Sequence, residues 1–540
     1  MKSLTPSRLA LAAAMVTIIF YTLLFLVLGP GTVITRLHSD TLNYLGQAQY
    51  LASHGTLAGF SFGEGFEPVV YASVAAYIRA PIFWFFQSFD TAIRAIQIQN
   101  AILLLILGFV WRQYLILRAP AHALLWSALP FAFLCLAYTP WIANAYLPAG
   151  DHLTSLLTMG FVVVCLQSER WAAVPRKRLL YGSLLFALLA LATLQKVTSL
   201  ALLAFAALHF APTAKLSRRA WMVILAGGAL TALAFLAVTH ALVAHYITAG
   251  TAAYFTGQSP QIVAGRTLLS AFASAIPSQI IPNWQYVFAI ADAPSFSLDP
   301  RQARWEWLPF ILCGVAVSAV ILRGAFLSRK TLAAELIFLA AVFPAYAISS
   351  NATARYFAIT QPFFWLLFMR GMPVSSHHLA RISQAMSLRL LTAALAVLAL
   401  LAAGFLITRG TWSKSFSFAR AASFIEDVNS AFAGGRTYLQ SIDTGETLLL
   451  PSDLRWHVVN GAQYVPEDRA MERACNGYSV YLPLTCDRRN CSMAKTRVDG
   501  IKARLSGADW EAAYDQQNNA AEIIFWRMRP KPLACKELVK

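Results

Sequence analysis

The sequence predicts an all-α polytopic membrane protein of about eleven transmembrane helices, followed by a small C-terminal α+β domain. Three observations carry that fold class. Of 540 residues, 58% are hydrophobic and only 13% charged, about half the ~25% charged share of a soluble chain. Apolar runs long enough to cross a hydrocarbon core of roughly 30 Å recur through residues 1–408. Soluble composition returns only from residue 409, and four of the 7 cysteines lie in that tail.

The first element is Lys2 and Arg8 ahead of an apolar span at about 9–29. It is too long for the apolar segment of a signal peptide and no small-residue cleavage site closes it, so it reads as a retained anchor. Spans follow at about 95–111, 122–142, 150–167, 179–195, 197–211 and 220–242. The last four lie at about 307–322, 331–348, 356–369 and 389–408. A further stretch, 69–89 ("VVYASVAAYIRAPIFWFFQSF"), contains Arg79 and Pro81.

Charge parity decides whether 69–89 crosses. If it does not, Arg112, Arg118, Arg170, Arg176, Lys177 and Arg178 fall in inner loops. Lys215, Arg218, Arg219, Arg323, Arg329, Lys330, Arg370 and Arg381 then fall there too. If it does, every basic loop moves outside, against the positive-inside rule. The stretch is therefore expected to lie in or dip into the outer interface. The N-terminus is then cytoplasmic, and residues 30–94, 243–306 and 409–540 face outward. In a bacterium this places the chain in the inner membrane with a periplasmic tail. The same loops account for the net charge of +18. No arginine-rich stripe with interleaved aromatics is present, so a nucleic-acid partner is not expected.

The tail mixes strand-like runs ("ETLLLP", "YSVYLP", "AEIIFWRM") with polar helical stretches. Cys475, Cys486, Cys491 and Cys535 all fall within it. An even set in an oxidising compartment predicts two disulfides, with three connectivities open. A zinc site is the alternative, against which the absence of a paired CxxC counts.

Four isolated charges converge on the outer side of the membrane part. Asp40 follows the first span and Asp151 opens the span in "NAYLPAGDHLTSLL". Lys196 interrupts two nearly continuous spans in "LATLQKVTSL", and Arg355 lies at a span mouth in "NATARYFAITQPFFW". Each has a structural alternative: a helix-start acid for Asp40 and Asp151, a snorkelling lysine, a topology-marking arginine. Two acids and two cations on one face of a charge-poor membrane domain favour function. They suit glycosyl transfer from a lipid-phosphate-linked sugar. The phosphate leaves with little need of protonation. A carboxylate, Asp40, takes the acceptor hydroxyl's proton. Two cations, Lys196 and Arg355, stabilise the charge that develops on the phosphate. His245, with His240, sits near the outer end of the 220–242 span as a candidate substrate contact. Loop 243–306, with Trp284, Tyr286 and Trp305, reads either as a sugar-contacting lid or as an interfacial belt. No P-loop or HExxH pattern occurs. His377-His378 falls in an inner loop and reads as solvated.

The same stretches resemble the GT-C membrane glycosyltransferases of the protein O-mannosyltransferase and aminoarabinose transferase type. In "SDTLNYLGQAQYLASHG", Asp40, Tyr44, Ala48, Leu51 and Gly55 match the first outer loop of that family. "FEPVVYASVAAYI" is similar to its Pro-containing juxtamembrane helix and "AIRAIQIQNAILLL" to its Arg-marked next span. "LPAGDHLTSLLTMGFVVV" resembles the span opened by a second Asp, and "LLALATLQKVTSLALL" the Lys-bearing turn. "ARYFAITQPFFW", with Arg355 and Tyr356, resembles its late Arg-Tyr…Pro element. The series runs in order through residues 9–370. It implies a GT-C-like membrane domain, a polyprenyl-phosphate-sugar donor, an outward site and inversion at the anomeric carbon. It also implies an acceptor that is a lipid, a glycan or a protein.

Two departures stand out. Thr41 follows Asp40 where the family often has a second acid, and Pro68-Val69-Val70 replaces Pro-Pro-Leu. A divalent metal ion would need Glu64 or Glu67 as the second acid, so no metal ligand is assigned. The competing readings are an envelope-polysaccharide polymerase or ligase, and a non-enzymatic lipid or sugar transporter. The first expects a large outer loop with paired arginines, whereas 243–306 has only the spaced Arg266, Arg301 and Arg304. The second expects internal repeats and mid-span charges, neither of which the sequence shows.

Overall fold

The computed structural model describes residues 5–28, 39–57, 73–86, 89–136, 151–168, 170, 173–210, 308–347 and 359–372 of the apolar part. In the tail it describes 437–441, 458–460, 467–487, 491–517 and 521–538. The apolar part is a bundle of α-helices. It opens with α1 (Pro6–Leu28), α2 (Ser39–His54), α3 (Ser73–Phe85) and α4 (Phe89–Arg118). A 3-10 turn leads to α5 (Ala123–Leu136), followed by α6 (Asp151–Leu166) and α7 (Pro175–Gln195). A second 3-10 turn, Val197–Leu200, precedes α8 (Ala201–Phe210). Then come α9 (Leu308–Ser328), α10 (Ala333–Ala347) and α11 (Gln361–Gly371). The expected spans at 220–242 and 389–408 lie outside the described residues.

Proline sets several boundaries. Pro175 and Pro362 stand in the first turns of α7 and α11, where the missing amide has no intrahelical partner to lose. Pro120 ends α4, because the residue before a proline is pushed off the helical region. Ala119 accordingly has φ −145° and ψ 68°. The helix α4 runs for 30 residues, longer at both ends than the expected 95–111, since no breaker occurs before Pro120. By contrast α3 has 13 residues, about 20 Å at 1.5 Å per residue, too short for a 30 Å core. Among the described residues, Arg94–Arg118 is the one stretch long and apolar enough on its own to cross a membrane.

The bundle is apolar outside as well as inside. Ile98, Ile102, Ile106 and Phe109 form an exposed stripe along α4, and their four- and three-residue spacing keeps them on one face. Leu179, Leu180 and Phe186 on α7 are exposed, as are Leu312, Val315 and Leu322 on α9. Meanwhile Arg79, Gln97, Asn100, His152 and Glu335 are buried. Water would penalise such a surface, whereas lipid chains match it.

Small residues and one ion pair tie the helices at the Arg118 end. Carboxylate Glu335, in the first turn of α10, pairs with Arg118 at the end of α4 while 1% exposed. Breaking such a buried pair by deleting one partner costs about 3–5 kcal/mol. Arg370 Nη2 donates to the Arg118 carbonyl at 3.2 Å, and Arg323 Nη1 to the Gly371 carbonyl at 3.0 Å. At Gly324 and Gly371, α9 and α11 touch backbone to backbone: a Cβ on either would collide with the other helix's carbonyls.

The tail contains β1 (Thr437–Ser441), β2 (Val458–Asn460), α12 (Glu467–Cys475) and β3 (Ser479–Asp487). After these come α13 (Cys491–Arg504), β4 (Ala508–Gln517), β5 (Ala521–Pro530) and α14 (Pro532–Leu538). The strands form one five-stranded sheet in the order β2-β1-β3-β5-β4. Strand β1 runs parallel to both β2 and β3, whereas β5 is antiparallel to β3 and β4. Alternate residues Val480, Leu482 and Leu484 meet Met471 of α12 and Ile501 of α13 in a shared core. Gly477, at φ +86°, ends α12 in the left-handed conformation that glycine adopts most cheaply. The runs "YSVYLP" and "AEIIFWRM" lie in β3 and β5, and "ETLLLP" falls outside the described residues.

A disulfide joins Cys475 to Cys535 across a sequence separation of 60, worth about 4 kcal/mol on the chain-entropy account. The zinc alternative thereby loses two of its four ligands. Cys486 lies on β3 and Cys491 opens α13.

Candidate functional site

Helices α6 and α7 form a hairpin across a short link, and their register fixes two of the expected site residues. A Cβ on Gly160 would meet the Leu188 side chain at 3.6 Å, so those two positions are level. Asp151 lies about 13 Å back along α6 from Gly160, and Lys196 about 12 Å forward along α7 from Leu188. The first residue of α6 and the residue that ends α7 therefore share one end of the bundle.

Lys196 breaks the helical chain. Its backbone is extended at φ −158° and ψ 117°, and its amide closes α7 on the Ala192 carbonyl at 2.8 Å. The Lys196 carbonyl then accepts from the Ser199 amide at 2.9 Å, which starts the 3-10 turn. Polar side chains crowd this break: Thr193, Gln195 and Ser199 are all buried. Lys196 itself is half-buried. The Oγ1 of Thr193 and the Oγ of Ser199 have no hydrogen-bonding partner among the described residues.

The short helix α3 lies against this end. Gln195 Oε1 accepts from the Ala75 amide at 3.0 Å, fixing α3 one residue from Lys196. One turn further along α3, Arg79 is wholly buried, and its Nη2 donates to Asn100 Oδ1 of α4 at 3.4 Å. Gln99 Nε2 donates to the Ile78 carbonyl at 2.9 Å. Trp84 Nε1 donates to the Ala52 carbonyl at 2.8 Å, which ties α2 to α3. These contacts hold α3 at residues 99–100 of α4, about 27 Å along that helix from Arg118. The polar end with Lys196 and the arginine-rich end are thus opposite ends of the bundle.

The expected residues fall as follows. Asp40 is the second residue of α2 and Tyr44 lies one turn on. Asp151 is the first residue of α6. A carboxylate in a first helical turn is favoured by the unpaired amides there. The packing brings Asp151 and Lys196 to one end and lays α2, the helix of Asp40 and Tyr44, against α3. Arg355, Tyr356 and His245 lie outside the described residues, as do Glu64 and Glu67. Just downstream of Arg355 and Tyr356, buried Thr360 and Gln361 open α11. Among the described residues no group of three or more His, Cys, Asp or Glu side chains is placed to hold a metal ion.

Sequence reading passed over several polar residues at this end: Arg79, Gln97, Asn100, His152 and the pair Thr193 and Ser199. Arg79 carried a signal, a lone cation in an apolar run beside a proline. Gln97 and Asn100, three residues apart within an apolar helix, carried a weaker one. Chemically this end offers hydroxyl and amide groups around a cation, with the acid Asp151 at the start of α6. That composition suits a phosphorylated, hydroxyl-rich ligand.

No family model matches the sequence, and no curated protein matches it. Solved structures do share its fold. The aminoarabinose transferase ArnT from Cupriavidus metallidurans, bound to undecaprenyl phosphate, superposes with a TM-score of 0.52 at 14% identity. That likeness covers 94% of this chain and 97% of the other. The archaeal oligosaccharyltransferase AglB from Archaeoglobus fulgidus, in complex with an inhibitory peptide and a dolichol-phosphate, also gives 0.52 at 13% identity. It covers 98% of this chain and 76% of that one.

Proposed function

We propose, starting from the GT-C fold that the chain shares with these two structures, that it is a membrane glycosyltransferase. It takes a sugar from a polyprenyl-phosphate donor and passes it to a lipid, glycan or protein acceptor on the periplasmic face of a bacterial inner membrane. The observation that carries this reading is the helix break at Lys196, level with Asp151 and bordered by α3. It sits in a bundle whose fold elsewhere holds undecaprenyl phosphate or dolichol-phosphate.

In the reaction, Asp40 withdraws the proton of the acceptor hydroxyl as the acceptor oxygen attacks the anomeric carbon. The bond from that carbon to the phosphate oxygen breaks, and the phosphate keeps the electron pair. Lys196 and Arg355 meet the charge that grows on it. Attack opposite the leaving group inverts the anomeric centre. Tyr44, Asp151, Tyr356 and His245 contact the substrates. The bundle crosses the membrane about eleven times, with its arginine-rich end in the cytoplasm. Residues 1–408 form the membrane domain and 409–540 a periplasmic domain, in which Cys486 and Cys491 form the second disulfide.

The test uses purified full-length protein and a panel of radiolabelled undecaprenyl-phosphate sugars with a membrane extract as acceptor source. Transfer is expected for the wild type, and Asp40→Asn is expected to lower kcat by about 10²–10⁴-fold with little change in KM. Undiminished turnover in Asp40→Asn would remove the base. If no donor on the panel is consumed, the enzyme reading itself fails.

A further inference from the structure

We infer that the break between α7 and the 3-10 turn is the seat of the transferred sugar, with Thr193 and Ser199 reading its hydroxyl groups. This rests on the donor reading above and adds the specificity determinants to it. The two residues stand three positions before and three after Lys196. They are 2% and 1% exposed, and neither hydroxyl oxygen finds a partner among the described residues. A buried hydroxyl left this way is destabilising unless a ligand or an ordered water completes it. Two of them, flanking a break in helical backbone, mark a place built for something that bonds to hydroxyls. Irregular backbone within a membrane bundle persists where it is enclosed by protein or lines a cavity.

The chemistry separates sugar from phosphate. A threonine or serine hydroxyl both gives and accepts a hydrogen bond, as each sugar hydroxyl does, whereas a phosphate only accepts. The C-terminal end of α7 carries partial negative charge, which favours hydroxyl donors and disfavours an anion. Lys196 is the single cation between residues 193 and 199, so the phosphate belongs at its ammonium and the sugar on either side. Gln195 Oε1 accepts from the Ala75 amide, which holds α3 against the break.

The test is lipid binding to the full-length protein in nanodiscs, by native mass spectrometry and by thermal shift. The probes are undecaprenyl phosphate alone and the same lipid carrying a hexose, a pentose or a 2-acetamido-hexose. The wild type should prefer at least one sugar-bearing lipid over the bare lipid by about tenfold. Thr193→Val and Ser199→Ala should each cut that preference about fivefold, the worth of one hydrogen bond. Affinity for the bare lipid should stay constant, with Tm unchanged or raised, because an uncompleted hydroxyl has left the interior. Equal losses for bare and sugar-bearing lipids, or a preference intact in both variants, would overturn the inference. Wild-type protein that binds all four lipids equally overturns it too, but leaves the donor reading standing. Wild-type protein that binds none overturns both.

Discussion

At the scale of single residues, a charge is worth what its surroundings allow. Lys502 on α13 lies with its ammonium 3.0 Å from the centre of the Trp526 ring on β5. Burial pushes this ammonium down from 10.5 to about 8, opposed by the nearby charge of Asp499. Between those two values the unfolded chain binds a proton that the folded chain releases. Stability of the sheet unit should therefore rise with pH from about 8 to 10.5. Amine acylation of the intact protein, read by mass spectrometry across pH, should show Lys502 half-reactive near pH 8 and exposed lysines only above pH 10. A midpoint with the exposed lysines would contradict the burial. Asp40, Asp151 and Lys196 stood out in the sequence because a charge is conspicuous in an apolar chain. Thr193 and Ser199 did not. A hydroxyl in a helix looks ordinary until its burial and missing partner are known.

At the scale of elements, helix positions were largely legible and helix contacts were not. Apolar length placed α1, α6, α7, α9 and α10 close to where they occur. The ends of α4 were missed because Asp90, Arg94 and Arg112 look like loop residues, yet nothing before Pro120 stops the helix. No strand was read at 508–517, where Ala, Glu and Gln favour helix. Pairing decides it: opposite β5, Trp510 aligns with Met528 and Ala512 with Trp526. The contact of α9 with α11 depends equally on partners far apart in sequence. Gly324→Ala should lower the Tm in detergent by several degrees, because the added methyl meets the Leu367 carbonyl rather than a side chain that can turn away. Gly182→Ala, with open space around it, is the control and should leave Tm unchanged or raise it slightly. Equal Tm values for Gly324→Ala and wild type would mean the helices do not approach so closely.

At the scale of the whole molecule, the two ends of the bundle differ in chemistry. One gathers Arg118, Arg323 and Arg370; the other gathers Lys196, Gln195 and the buried Arg79. The positive-inside rule turns that asymmetry into an orientation. Alkaline phosphatase fused after Lys540 should be active and green fluorescent protein fused there dark, as a periplasmic tail requires. The reverse pattern would put the donor site in the cytoplasm and sink the proposed reaction.

The sequence by itself determined the class of solvent and the inventory of unusual charges, because hydropathy and charge are local properties that need no partner. The ordered motifs also pointed to the fold later shared with the solved structures. Only the tertiary structure decided which charges meet. The levels of Asp151 and Lys196, the bond of buried Arg79 on α3 to Asn100 on α4 and the pairing of Cys475 with Cys535 all join residues apart in the chain. Such contacts depend on how helices and strands pack, and no single stretch of sequence contains that information.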